Sequence, residues 1–204
     1  MEGIREKIRE LDLSGALRKS GGDKLILDYL KRITRNSNIW NASVVRHFDF
    51  KNQEHTPQSA LTLEERSFLQ LVSILLHSEG LFGGIINLAV YSLIINEHHD
   101  IWSEFHREFV SSFEDILDLQ LDVKMKFLEK HGYGFLCEFC PKDIRNAIAH
   151  SSFAVEQDGR VRLLGKRRKV FSLAELTGIV QDMMVIGSLV SDIWAEELEK
   201  MGNP

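Results

Sequence analysis

The sequence predicts an all-α fold: a helical bundle with one small β-hairpin inserted between a short late helix and the last long helix. Three observations predict it. Apolar residues recur at three- and four-residue steps through most of the 204 residues. Only three prolines occur, Pro57, Pro141 and the terminal Pro204. One stretch departs from the helical period, where Phe153-Ala154-Val155 and Val161-Arg162-Leu163-Leu164 flank Gln157-Asp158-Gly159, a glycine-containing turn signal.

Taken in order, Ile4, Ile8 and Leu11 mark one short amphipathic stretch that closes near Gly21-Gly22. Ile26, Tyr29, Leu30 and Ile33 share the face of a second. Residues 49–61, with Pro57, read as a loop. Thr62 and Glu65 then have the spacing of a capping box ahead of a long apolar helix. Gly80, Gly83 and Gly84 are expected to bend or divide that helix before it runs on to Asn96. Trp102, Phe105, Phe109, Phe113 and Ile116 predict another amphipathic helix reaching about Lys130, closed by His131-Gly132-Tyr133-Gly134. Pro141 suits the first position of a new helix and Asp143 its first turn. After the hairpin, Ser172 and Glu175 form a second capping box. Leu176, Ile179, Val180, Met183, Met184, Gly187, Val190 and Trp194 trace the inner face of the final helix.

The length fits a single domain over 1–204, with 62–204 as the core bundle and 1–61 either an N-terminal helical extension (a dimerisation arm or a contact site for a partner) or a further part of the bundle. Such a chain can bury its core without disulfides or metals. The formal net charge of −5 excludes a surface that is basic all over, so contact with nucleic acid must be local. Cys137 and Cys140 are the only cysteines, which excludes a disulfide framework and points to a reducing, cytoplasmic setting. The first residues lack the apolar stretch of a signal peptide. Residues 80–96 carry no charge, and Gly80 and Gly84 have GxxxG spacing. The run also contains Asn87 and Ser92 and is short of the ~20 residues of a span, so a buried core helix is expected and no membrane contact.

The segment Arg145-Asn146-Ala147-Ile148-Ala149-His150 carries the strongest chemical signal. Cleavage of RNA by its own 2′-hydroxyl needs a base for the hydroxyl proton, an acid for the leaving oxygen and cationic donors for the phosphate. Histidine transfers protons near neutral pH, arginine grips phosphate through a planar fork, and an asparagine amide can donate or orient. Asn146 and His150 are four apart and share a helix face. Arg145 lies about 140° round an ideal helix from His150, so the two are not facing neighbours unless the long arginine side chain or an irregular turn at the helix end closes the gap. A two-fold pairing of copies offers another way to bring them together.

These residues resemble the R-polar-x(3–5)-H motif of the HEPN superfamily. The resemblance covers about residues 62–204, including the order long helix, long helix, motif helix, hairpin and final helix. It implies a metal-independent endoribonuclease, usually a homodimer, that leaves a 2′,3′-cyclic phosphate and serves in toxin–antitoxin or phage-defence systems. It implies catalytic roles for Arg145, Asn146 and His150, with no cofactor. RNA is the implied substrate, and an antitoxin or regulatory protein a possible partner. The alternative is a non-catalytic HEPN module that binds nucleotide, RNA or a partner protein through the same side chains.

Weaker signals stand beside the motif. Lys166, Arg167, Arg168 and Lys169 follow the hairpin and, with Arg160 and Arg162, make six basic residues and no acidic one between 160 and 169. They are candidates for phosphate binding, or a solvated turn. Glu79, with His77, sits within an otherwise apolar helix. As a buried carboxylate it would need a partner, and Arg145 is suited to be steadied by it. Cys137-Glu138-Phe139-Cys140 has CxxC form but no second ligand pair, so structural thiols are expected and no metal. His98, His99 and His106 are expected to be exposed polar residues.

Overall fold

The computed structural model describes residues 2–47, 61–97, 112–164 and 168–200. Its elements in order are α1 (Glu2–Glu10), α2 (Leu13–Lys19), α3 (Lys24–His47), α4 (Leu63–Leu76), a π-helical segment (His77–Phe82), α5 (Gly83–Glu97), α6 (Phe113–Asp118), α7 (Leu121–Lys130), α8 (Phe135–Glu138), α9 (Lys142–Ala149), β1 (Phe153–Val155), β2 (Val161–Leu163), β3 (Val170–Phe171) and α10 (Leu173–Lys200). This is an all-α bundle with a small antiparallel sheet between α9 and α10.

Where the elements begin follows from local chemistry. Thr62 accepts the Glu65 amide while Glu65 reaches back to the Thr62 amide at 2.8 Å, fixing the start of α4. Ser172 and Glu175 do the same for α10. Two helices predicted as continuous are broken. The first amphipathic stretch stops at Asp12, whose φ of 43° is left-handed and whose carboxylate accepts the Gly15 amide to start α2. The helix expected from Trp102 to Lys130 is reset at Ser112, which caps α6 with Asp115, and again at extended Leu119 and Gln120. Trp102, Phe105 and Phe109, and the loop predicted around Pro57, lie outside the described residues.

The glycine-rich stretch does not end its helix. The backbone widens to a π turn in which the Gly83 amide donates to the Ser78 carbonyl five residues back. The helix then continues as α5, whose Ile85 to Ile94 are buried. By length and composition, Leu63–Asn96 and Leu173–Glu199 could each cross a membrane; 78% of the apolar window of the first is buried inside the protein. α1, α2 and α3 contribute Ile8, Leu11, Leu17, Ile26, Leu30 and Ile33 to the same core as α5 and α10. Gly187 lets α10 approach the π segment, since a Cβ there would stand 2.2 Å from the Leu81 side chain.

The predicted hairpin exists, with Phe153 opposite Leu163 and Val155 opposite Val161. It carries a third strand that the sequence reading lacked, pairing Val161 with Phe171 and Arg162 with Val170. Val161 and Leu163 point into the core while Arg162 points out. The hairpin tip is held on α4: the buried Ser67 hydroxyl donates to the Gly159 carbonyl at 2.5 Å. Gly159 has φ 80°, and a Cβ there would meet Leu63 at 3.0 Å, so only glycine suits this contact.

One charge lies inside the bundle. The Lys124 ammonium, on α7, donates to Asn87 Oδ1 at 2.7 Å and to the Leu117 carbonyl at 3.2 Å, and Asn87 donates in turn to the Tyr29 hydroxyl at 2.8 Å. Burial pushes the Lys124 pKa down to about 8 from 10.5, against the pull of Asp118. The unfolded chain therefore binds more protons than the native one between those values, and stability should rise with pH from about 8. Burial raises Cys137 and Cys140 above their usual 9.0 and Tyr29 and Tyr91 above 10.0, so the opposing effect of the thiols sets in near pH 9 and that of the tyrosines near pH 10. Urea unfolding at pH 7.5 and 8.5, below the onset of the thiols, should show a rise in unfolding free energy in the wild type that Lys124→Met lacks.

Candidate functional site

The motif occupies α9, whose Ile144 and Ala147 are buried against the bundle, leaving Arg145 and Asn146 half-buried on its flank. Arg145 reaches the π segment, where its Nε donates to Glu79 Oε1 in an ion pair. Its Nη1 donates to Asn146 Oδ1 at 3.2 Å. Two bonds thus fix the guanidinium plane, and Nη2 makes none among the described residues. The Arg145 side chain is 24% exposed and that of Glu79 50%. An open edge of a fixed guanidinium is a suitable donor for a phosphate oxygen.

Glu79 is therefore paired with Arg145 but is not the buried carboxylate expected from its apolar surroundings. The buried polar residues of that turn are His77 and Ser78, and His77 Nδ1 donates to the Ser73 carbonyl at 2.8 Å. Burial lowers the His77 pKa, only partly offset by that bond, so the ring is neutral at physiological pH. Beside the ion pair lies Cys140, 2% exposed. Burial raises its pKa and Glu79 adds to the rise, while the Ser78 hydroxyl and Arg145 act the other way. Cys137 is pushed up to about 12 by burial, with nearby carboxylates adding to it. Both cysteines are free thiols held protonated, and so poor nucleophiles and metal ligands. Among the described residues no three His, Cys, Asp or Glu side chains form a metal-binding group. His98, His99 and His106 lie outside those residues.

His150 is not on α9 proper but is its C-cap, with φ −101° and ψ 9°. The ring is exposed, and its imidazole makes no hydrogen bond to a described residue. The helix closes by a Schellman pattern: the Ser152 amide donates to the Ala147 carbonyl at 2.8 Å and the Ser151 amide to Ile148 at 3.0 Å. Ser151 takes the left-handed position at φ 50°, where glycine is usual. One protomer thus joins Glu79, Arg145 and Asn146 through their side chains, and His150, at the helix end, is tied to Asn146 only through its backbone amide, at 3.0 Å.

The basic run is less available than its sequence suggests. Arg160 pairs with Glu156 at 3.3 Å and Asp158 at 2.7 Å, and Arg162 also pairs with Glu156. Antiparallel pairing across the tight turn brings these acids beside the arginines, although they precede them in the chain. Lys169 donates to Asp143, on the first turn of α9, at 2.6 Å. Arg168 is exposed. Lys166 and Arg167 lie outside the described residues.

Compared with known proteins, the chain matches no family model, no curated protein and no solved structure.

The strained Ser151 gives a test of the helix end that carries His150. Ser151→Gly should raise the unfolding free energy by about 0.5 kcal/mol, because relief of the left-handed strain exceeds the extra chain entropy. Ser151→Val should lower it by about 1–2 kcal/mol, since a β-branched residue is poorly tolerated there. Both are read from urea unfolding curves.

Proposed function

We propose that this chain is a metal-independent endoribonuclease that cleaves RNA through the 2′-hydroxyl, with Arg145, Asn146 and His150 as its catalytic group. The observation that carries this reading is the fixed, partly open guanidinium of Arg145, bound by Glu79 and Asn146 and one helical turn from an exposed histidine. It agrees with the HEPN-like motif, on a helix packed against α4 and followed by the small sheet and the long α10.

In the proposed reaction a neutral imidazole takes the 2′-hydroxyl proton, and the oxygen attacks the adjacent phosphorus. A protonated imidazole returns a proton to the departing 5′-oxygen, giving a 2′,3′-cyclic phosphate and a 5′-hydroxyl. Arg145 stabilises the charge on the phosphate oxygens, and Asn146 orients the arginine. The reaction calls for one neutral and one protonated imidazole, and in the proposed site two copies of the chain supply one each. Phe68, Leu69 and Leu76, exposed on α4 on the approach to Glu79, support such a pairing. The two buried, unbridged thiols suit the cytoplasm. Toxin–antitoxin or phage-defence action is the biological setting that the motif suggests.

A specific observation favours a second reading, a non-catalytic module that binds nucleotide, RNA or a partner protein. Three of the cations offered for phosphate binding, Arg160, Arg162 and Lys169, are already matched by carboxylates. Structured and single-stranded RNA incubated with the protein in EDTA separates the two. Cleavage is expected, falling at least 100-fold in Arg145→Ala and in His150→Ala and about tenfold in Glu79→Gln, where the arginine is kept but loosened. RNA that stays intact while bound would favour the second reading. Cutting that survives the double Arg145→Ala, His150→Ala variant would exclude this site.

A further inference from the structure

A groove of about 760 Å³ lies between α7, the α8–α9 junction, the first turn of α9, β3 and α10. Its floor is apolar, with Met125, Phe139, Ile144, Phe171, Ile179 and Met183. None of the motif residues lines it. Its charged rim is unbalanced. Both lysines there are committed, Lys142 to Asp122 and Lys169 to Asp143. Glu129, Glu138 and Asp182 are exposed and form no ion pair with a described residue.

An apolar floor beneath three uncompensated carboxylates selects for a ligand that is apolar on one side and cationic on the other. Two methionines suit the floor to side chains of varied shape, since the thioether chain adapts its rotamers. A peptide lying across such a floor would bring its cationic groups to the rim. We infer that this groove docks a basic amphipathic segment of a partner protein, held by apolar side chains over Phe139, Phe171 and Ile179 and by Lys or Arg against Glu129, Glu138 and Asp182. Nucleic acid is excluded as the occupant by the sign of the rim. This inference does not depend on whether the motif cleaves RNA.

The test uses two synthetic 18-residue probes of the same helical period, one of leucine and lysine and one of leucine and glutamate. Fluorescence anisotropy of labelled peptide is followed with the full chain, and amide chemical shifts map the contact. The leucine–lysine peptide should bind and the leucine–glutamate peptide should not. The triple variant Glu129→Gln, Glu138→Gln, Asp182→Asn should weaken binding at least tenfold, with no change in the unbound protein's spectrum elsewhere. Neutralising Asp28 on α3, Glu64 on α4 and Glu114 on α6, equally exposed but on helices that do not line the groove, should leave affinity within twofold. The inference is overturned if the basic peptide does not bind at millimolar concentration. Equal affinity for the triple variant, or shift changes confined outside the groove, would overturn it as well.

Discussion

The π turn at His77–Phe82 sets the register in which the long central helix meets α9, and the arrangement around the motif depends on that register. It keeps His77, Ser78, Leu81 and Phe82 inside the protein and places Glu79 at the surface, within reach of Arg145. Gly187 on α10 admits Leu81 from the same turn, so the last helix packs where the widening occurs. The ion pair is half-exposed, and its contribution to stability is modest, about 1 kcal/mol or less. Its consequence is geometric. A long, flexible arginine is held by two of its three nitrogens, so most of the entropy needed to position it is lost on folding and not on binding.

α4 holds the site from two ends. Ser67 and Leu63, near its start, seat Gly159 at the tip of the hairpin, and the π turn that follows it seats Arg145. The segment that closes α9 and enters β1, including His150 and Ser151, runs between these anchors. The exposed ring of His150 therefore sits at the end of a helix whose neighbours on both sides are fixed to one continuous scaffold. The proposed reaction needs one neutral and one protonated imidazole, which is why the proposed site calls for a second copy.

Much of the fold was legible because it rests on local rules. The capping boxes at Thr62 and Ser172, the turn around Gly159 and the buried face of α10 all follow from residue type and spacing. What was missed depends on competition between neighbours. Asp12 and Ser112 end one helical pattern and begin another through side-chain caps, which an apolar period running across them conceals. β3 is two residues long and is specified by its partner strand, not by its own pattern. The glycines at 80, 83 and 84 signalled a disturbance, yet whether a helix breaks or widens is decided by packing on both sides. The pairing of Glu79 with Arg145 could be suggested from the need of a carboxylate in an apolar run. The burial was assigned to the wrong residue, since His77 and Ser78 are enclosed and Glu79 is half-exposed. The basic run looked unopposed because its counter-charges, Glu156, Asp158 and Asp143, come from outside the window in which it was counted.

In the proposed reaction Arg145 and Asn146 of α9 and His150, which caps it, use the substrate's own 2′-hydroxyl. That reaction is tested most directly by the ends of the products. A defined oligoribonucleotide is cut in EDTA, the cleavage position is mapped, and the fragments are weighed by mass spectrometry. A second oligonucleotide carries a single 2′-deoxy substitution on the 5′ side of that position. The account predicts a 2′,3′-cyclic phosphate and a 5′-hydroxyl, and no cleavage of the deoxy-substituted strand there. A 3′-hydroxyl with a 5′-phosphate, or cleavage at the deoxy position, would contradict it.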